Sequence, residues 1–342
     1  MGASMGHRRP DSRPAALRWA LAAALLLLFA AIAWMTLTYR VRGLDWRTLL
    51  SPTGNLKDEL AAYTVWHVRA PRLLLAASLG AALAVAGCLL QAMTRNPLSD
   101  TEIIGLNQGA ACAAVVALLL FGGSDSSLVI LPAALCGAAV SGILVYWLAR
   151  FGGSDVSRLV LSGVAISAFM GALTTGIILL FETRLMEIVY WMAGKLSGAN
   201  WSDNRLIWGI GGPVLTAAFL LSGRLNLLAQ GDEVAAGLGV NVARTRGLLG
   251  LMVILLAGSA AAVAGPIGFV GLMVPHMARR IVGIDHRRLI PASALLGAAL
   301  LSAADFAAQW ISYPADIPVG IVTAFLGVPF FLYLLRRNKE ER

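Results

Sequence analysis

Ionisable side chains are scarce in this chain, so each one placed in or beside an apolar stretch is a candidate for chemistry. Asp305 stands within an apolar run near 289–309. An ionised carboxylate at mid-membrane costs about 3 kcal/mol and is kept there for a reason. It can relay a coupling proton or ion, or it can pair with a neighbouring helix; the residues alone leave both open. A second set is Gly231-Asp232-Glu233-Val234-Ala235-Ala236-Gly237-Leu238-Gly239. Its pattern predicts a short helix over about 232–237, with Asp232 and Glu233 at the positive N-terminal end and Gly237 and Gly239 closing it. Val234, Ala235, Ala236 and Leu238 give that helix a small apolar surface outside the bilayer. Such a helix either docks a partner protein or joins two crossings while packed on its own bundle. A third set, His67-Val68-Arg69-Ala70-Pro71-Arg72, is basic; it can meet an acidic partner or snorkel at the membrane interface.

Other chemistries lack their residues. ATP hydrolysis uses a G-x-x-x-x-G-K-[ST] loop that cradles the phosphates. Of three lysines only Lys195 follows a glycine, and Leu196 comes after it, so the chain is not expected to be an ATPase or another enzyme. His7, His67, His276 and His286 are not paired at metal-ligand spacing. Cys88, Cys112 and Cys136 lie in apolar runs, where they read as small apolar filler with no disulfide or paired-cysteine metal motif. No metal or cofactor is expected on this chain.

The elements that must position these residues are membrane helices. Of 342 residues, 58% are hydrophobic and 13% charged, against about half and a quarter in soluble domains. Apolar runs lie near 17–39, 71–93, 103–121, 128–149, 157–181, 205–223, 289–309 and 317–335. Between them, Arg246 to Val282 is 37 residues, about 55 Å as one helix against a hydrocarbon core of roughly 30 Å. It must be two crossings, and Gly265-Pro266 is the expected turn, since proline removes a donor and glycine relaxes the backbone. Other breaks are expected at Asn96-Pro97, at 122–125, at 152–155 and from Gly194 to Asp203. The first run is longer than the core of a cleaved signal peptide, about 7 to 15 residues, so a retained helix is expected there.

The expected fold is an all-α polytopic membrane protein of about ten transmembrane helices. It has an N-terminal tail, 1–16, a membrane domain, 17–335, with a loop at 227–246 on one face, and a C-terminal tail, 336–342. An even count puts both termini on one side. With that side cytoplasmic, 18 of 27 arginines and lysines fall in inner segments and the acids divide evenly, so all of the +9 net charge lies inside. This is the positive-inside distribution, and it needs no nucleic-acid partner. Small residues such as Gly80, Ala84 and Gly87, Gly105 and Gly109, and Gly163, Gly171 and Gly176 suit close helix packing in lipid.

Read in order, Arg69 to Arg72 has the form R-x-P-R, Leu90 to Leu98 the form L-Q-x-x-x-R-N-P-L, and Gly105 to Ala110 the form G-x-x-x-G-A. Tyr190-Trp191-Met192 with Gly194 and Trp201 follow, then Leu228-Ala229-Gln230-Gly231-Asp232-Glu233 running to Leu238-Gly239. Gly265-Pro266-Ile267-Gly268-Phe269-Val270-Gly271-Leu272 with Pro275-His276, and Ile317-Pro318-Val319-Gly320 running to Pro329, complete the set. In this order, from Val65 to Arg337, the chain resembles the permease subunits of binding-protein-dependent ABC importers for iron-siderophores, haem and vitamin B12, the FecCD type.

The resemblance implies a type II ABC importer permease bundle, paired with a second copy or a close paralogue, with the pathway at their interface. It implies two ATP-binding subunits, which hold ATP and Mg, docked on Gly231, Asp232, Glu233, Ala236, Gly237, Leu238 and Gly239. It implies a periplasmic or lipid-anchored substrate-binding protein meeting Arg69 and Arg72. Gln91, Asn96, Pro97, Pro266, Pro275 and Asp305 fall within its motifs as structural or gating candidates. The expected place is the bacterial cytoplasmic (inner) membrane with both termini cytoplasmic, and the expected cargo is a ferric siderophore ahead of haem or cobalamin. Two positions depart from the family pattern: Gln309 stands where many relatives carry arginine, and Asp316 replaces their usual glutamate but keeps the sign. The alternative reading is an ion-coupled secondary transporter that works without an ATPase.

Overall fold

The computed structural model of the chain describes residues 15–41, 56–121, 127–150, 156–181, 185–313 and 315–340. Residues 1–14 of the expected N-terminal tail, the expected breaks at 122–125 and 152–155, and residues 341–342 lie outside them. Among the described residues there is no strand. Each expected apolar run becomes a helix: α1 (Ala15–Thr38), α3 (Ala70–Thr94), α4 (Leu106–Leu120), α5 (Ser127–Arg150), α6 (Val156–Leu180), α8 (Trp201–Leu220), α11 (Val242–Ala264), α12 (Val270–Val282), α13 (His286–Ile311) and α14 (Val319–Glu340). Among the described residues four short helices join them: α2 (Leu56–Tyr63), α7 (Leu185–Met192), α9 (Ser222–Ala229) and α10 (Asp232–Gly237). A π-helical turn, Thr64–Arg69, carries α2 into α3.

The expected count of about ten crossings is not established by helix length. Among the described residues five helices are long and apolar enough to cross a membrane, or six with α8 and α9 taken as one span bent by 57°. Shorter apolar segments lie at Ala23–Thr38, Leu106–Leu120 and Val319–Leu334, and α12 has 13 residues, about 20 Å of rise. The 37-residue stretch does break where proline and glycine predict it, with α11 ending at Ala264. Gly265 has φ +74, and a Cβ there would collide with the Trp191 carbonyl. The freed Ala264 carbonyl accepts the Lys195 N–H at 2.8 Å, so the buried break keeps its backbone satisfied.

α3 is the central helix, packed against α13, α11, α12 and α8. Its Leu75, Leu79, Leu83, Leu89 and Leu90 are fully buried and share one cluster with Leu249 and Leu256 of α11 and Leu289 and Leu301 of α13. Glycines set the closest approaches, because backbone contact in lipid takes the place of a hydrophobic drive. A Cβ on Gly80 would strike the Gly297 carbonyl, and one on Gly87 the backbone of Gly271. Gly171 and Gly176 of α6 do not behave this way: nothing stands within 4 Å of a Cβ on Gly176. The apolar α5 and α6 expose Ile143, Tyr146 and Trp147, and Leu161, Phe169 and Leu179. Their periphery suits lipid or another subunit.

Candidate functional site

The residues singled out by the sequence gather along α3, whose ends stand about 35 Å apart at 1.5 Å per residue. At its C-terminal end Arg95 takes a left-handed conformation, φ +53. The Asn96 side-chain oxygen accepts the Leu98 N–H at 3.0 Å and the Asn96 carbonyl accepts the Ser99 N–H at 3.2 Å. Asn96-Pro97 therefore makes a tight turn with proline at its favoured second position. Arg95 then reaches α10, its Nη2 lying 3.5 Å from Asp232 Oδ1. Arg246 of α11 donates to the same oxygen at 2.9 Å.

The local sequence folds α10 as its pattern predicts. Gly231, at φ +125, admits the chain. At the other end the N–H groups of Gly239 and Val240 donate to the carbonyls of Ala236 and Ala235, both at 3.0 Å. This closure needs a left-handed residue at Gly239, whose φ is +82. Ala235 is fully buried in the cluster that holds Leu225 and Leu228 of α9. Glu233, Val234, Ala236, Gly237 and Leu238 are exposed. One methyl and one clamped carboxylate thus root the helix, and two large apolar side chains, Val234 and Leu238, project from it.

One turn back along α3, the buried Gln91 bridges to α12. Its Nε2 donates to the Gly271 carbonyl at 3.0 Å and its Oε1 accepts from Arg279 Nη1 at 2.6 Å. Pro275 is buried inside α12, and Pro266 opens the break before it. Asp100, in the loop between α3 and α4, accepts the Thr101 N–H at 2.8 Å and also bonds the Phe269 N–H. Burial, then the nearby charge of Glu102, pushes its pKa up to about 7.

At the N-terminal end, Arg72 grips two carboxylates. Its Nε and Nη2 lie 2.9–3.1 Å from the Asp305 oxygens, and its Nη1 donates to Asp316 Oδ2 at 2.9 Å. The pair is enclosed, with Arg72 and Asp305 only 11% and 1% exposed. Gln309 donates to Asp305 Oδ2 at 2.8 Å, so the family's departing position serves the same carboxylate. Asp305 is thus a partner in a charge cluster binding α3 to α13 and to the segment before α14. Arg69 donates to the Thr36 carbonyl at 2.7 Å and lies over the Tyr39 ring, tying α1 to the same end.

Sequence reasoning assigns Arg246 and Arg279 only a topological role and does not single out Glu102. No local pattern could have found the Gln91–Arg279 pair, 188 positions apart. A basic residue next to a short acidic helix, Arg246 after Asp232, was a usable signal.

Residues 19–337 match the model of the FecCD transport family. Over 284 residues the chain is 44% identical to the Fe(3+)-citrate import system permease protein YfmD of Bacillus subtilis, covering 83% of this chain and 84% of that protein. Over 326 residues it is 38% identical to the hemin transport system permease protein HmuU of Yersinia pestis, covering 93% and 96%. A solved structure described as an inward-facing, metal-chelate type ABC transporter matches with a TM-score of 0.79 at 30% identity, over 93% of this chain and 99% of that one.

Proposed function

The chain belongs to the FecCD transport family, and from that membership we infer that it is the membrane-spanning permease subunit of an ABC importer for an iron chelate. It is a multi-pass, non-enzymatic subunit that works with an ATPase and a substrate-binding component. A ferric siderophore is the leading cargo, with ferric citrate and haem, the named cargoes of two relatives, and cobalamin behind it. The finer assignments are these. Two ATPase subunits hold ATP and Mg, this chain holds no cofactor, and a second permease copy or close paralogue completes the pathway. The protein sits in bacterial inner-membrane lipid with both termini and α10 in the cytoplasm. A periplasmic or lipid-anchored binding protein docks at the Arg69 and Arg72 end.

The observation that carries the reading is α10. Among the described residues Val234 and Leu238 are exposed with no partner element over them, while Asp232 is clamped by Arg95 at the end of α3 and by Arg246 at the start of α11. A push on α10 therefore reaches the central helix directly, and alternating access needs only that the two bundles rock with it. Replacing Asp232, Glu233 and Leu238 together by alanine is expected to leave the folded permease intact while ATP hydrolysis no longer drives uptake. Wild-type uptake by that variant in vesicles holding the whole importer would remove the coupling assignment.

The secondary-transporter reading gains nothing from Asp305. That carboxylate is engaged by Arg72 and Gln309, so it does not stand free to carry a coupling ion.

A further inference from the structure

The geometry points to a cargo subsite between the loop after α3 and the exposed face of α6, one that takes a cationic or N–H-rich group of an iron chelate and disfavours a polyanion. It rests on the permease reading above and deepens it. A cavity of about 390 Å³ opens there, lined by Glu102, Gln108 and Ser167 together with the small or apolar Val164, Ala168 and Gly171. An apolar wall with a few convergent polar groups is the usual form of a small-molecule site.

The polar groups are mostly acceptors. Glu102 accepts from Asn107 Nδ2 at 3.0 Å and from Gln108 Nε2 at 3.2 Å. An ionised carboxylate can only accept, so both amides turn their nitrogens toward it and their oxygens away. The Asn107 oxygen is buried with no partner, and the Gln108 oxygen lies toward Gly171, 3.9 Å from where a Cβ would stand. Ser167 spends its one hydrogen on the Glu102 carbonyl at 3.2 Å. What remains on offer is a carboxylate, an amide oxygen and a hydroxyl oxygen, all acceptors, against one donor, the second Gln108 N–H. No basic side chain lines the cavity, and Glu102 makes no ion pair among the described residues. A ligand group that donates hydrogen bonds finds three acceptors there, and a positive charge on it is favoured, whereas a carboxylate-rich chelate meets the Glu102 carboxylate and finds a single amide N–H.

The test compares two probes that differ in one group: a ferric trihydroxamate with a free terminal ammonium, and the same chelate with that amine succinylated to a carboxylate. Equilibrium binding of radioiron is measured on the permease in phosphatidylglycerol nanodiscs, whose headgroups carry no ammonium. The wild type is expected to prefer the ammonium form by roughly tenfold, the scale of a charged hydrogen bond. Glu102→Gln is expected to lose that preference, and Glu102→Lys to reverse it, an outcome misfolding cannot imitate. Equal binding of both probes by the wild type, or a preference unchanged in Glu102→Gln, would overturn the subsite. So would loss of the preference in phosphatidylethanolamine nanodiscs, which would assign the pocket to a lipid headgroup. ATP-driven uptake by the complete importer is scored separately: a retained binding preference without any uptake would sink the permease reading and leave the subsite standing.

Discussion

Arg72 shows how one side chain can answer a question its sequence position leaves open. A basic residue beside a membrane run reads equally as a docking charge or as a snorkelling one, because its partners, Asp305 and Asp316, lie 233 and 244 positions away. Removing one member of a buried pair strands the other charge, at a cost of about 3 to 5 kcal/mol. Arg72→Ala is therefore expected to lower the thermal unfolding temperature sharply, and Arg72→Met with Asp305→Leu to recover much of the loss. Additive losses in that double-variant cycle would show that the two side chains do not depend on each other. Asp100 carries a pH signature of the opposite kind. Burial, with the Glu102 charge, raises its pKa to about 7 from an unfolded value near 3.8, so the folded state holds the extra proton between those values. Stability should fall as pH rises from about 4 to 7 and stay penalised above that. Asp100→Asn is expected to flatten this part of the stability profile measured by thermal unfolding; an unchanged slope would assign it to other groups.

At the scale of elements, α10 and the 265–269 break were legible because local chemistry decides them. Two acids followed by glycines four and six positions after the second make a short capped helix, and a Gly-Pro pair inside a run too long for one crossing makes a turn. α9 was not legible: nothing in Ser222 to Ala229 announces that the chain bends by 57° after α8. Nor could composition tell α3 from α6, since both are long and apolar while one is buried on all sides and the other exposes Leu161, Phe169 and Leu179. Burial there is decided by neighbours, and glycine contacts show which neighbours. Gly80→Ala would push a methyl into the Gly297 backbone, whereas Gly209→Ala would meet nothing within 4 Å. The first is expected to cost about 1 to 3 kcal/mol by overpacking and the second to be neutral or slightly stabilising through helix propensity. Equal yields of folded protein and equal unfolding temperatures for the two would remove the α3–α13 contact from the account.

For the whole molecule, the fold class and the family were readable from motif order, while the number of crossings was not, because α4 and α12 are too short to identify as spans by length. The architecture joins one end to the other through a single buried helix: Arg72 with its carboxylates, Gly80 and Gly87 against α13 and α12, Gln91 with Arg279, then Arg95 on α10. A body built this way is moved from outside, and its Asp305 carboxylate is committed to Arg72 and Gln309. The direct test is uptake of radiolabelled ferric chelate into vesicles holding the purified chain, with and without its ATPase and binding protein. The account predicts uptake only when both partners and ATP are present, and none from a proton or sodium gradient alone. Gradient-driven accumulation by the unaided chain would contradict it.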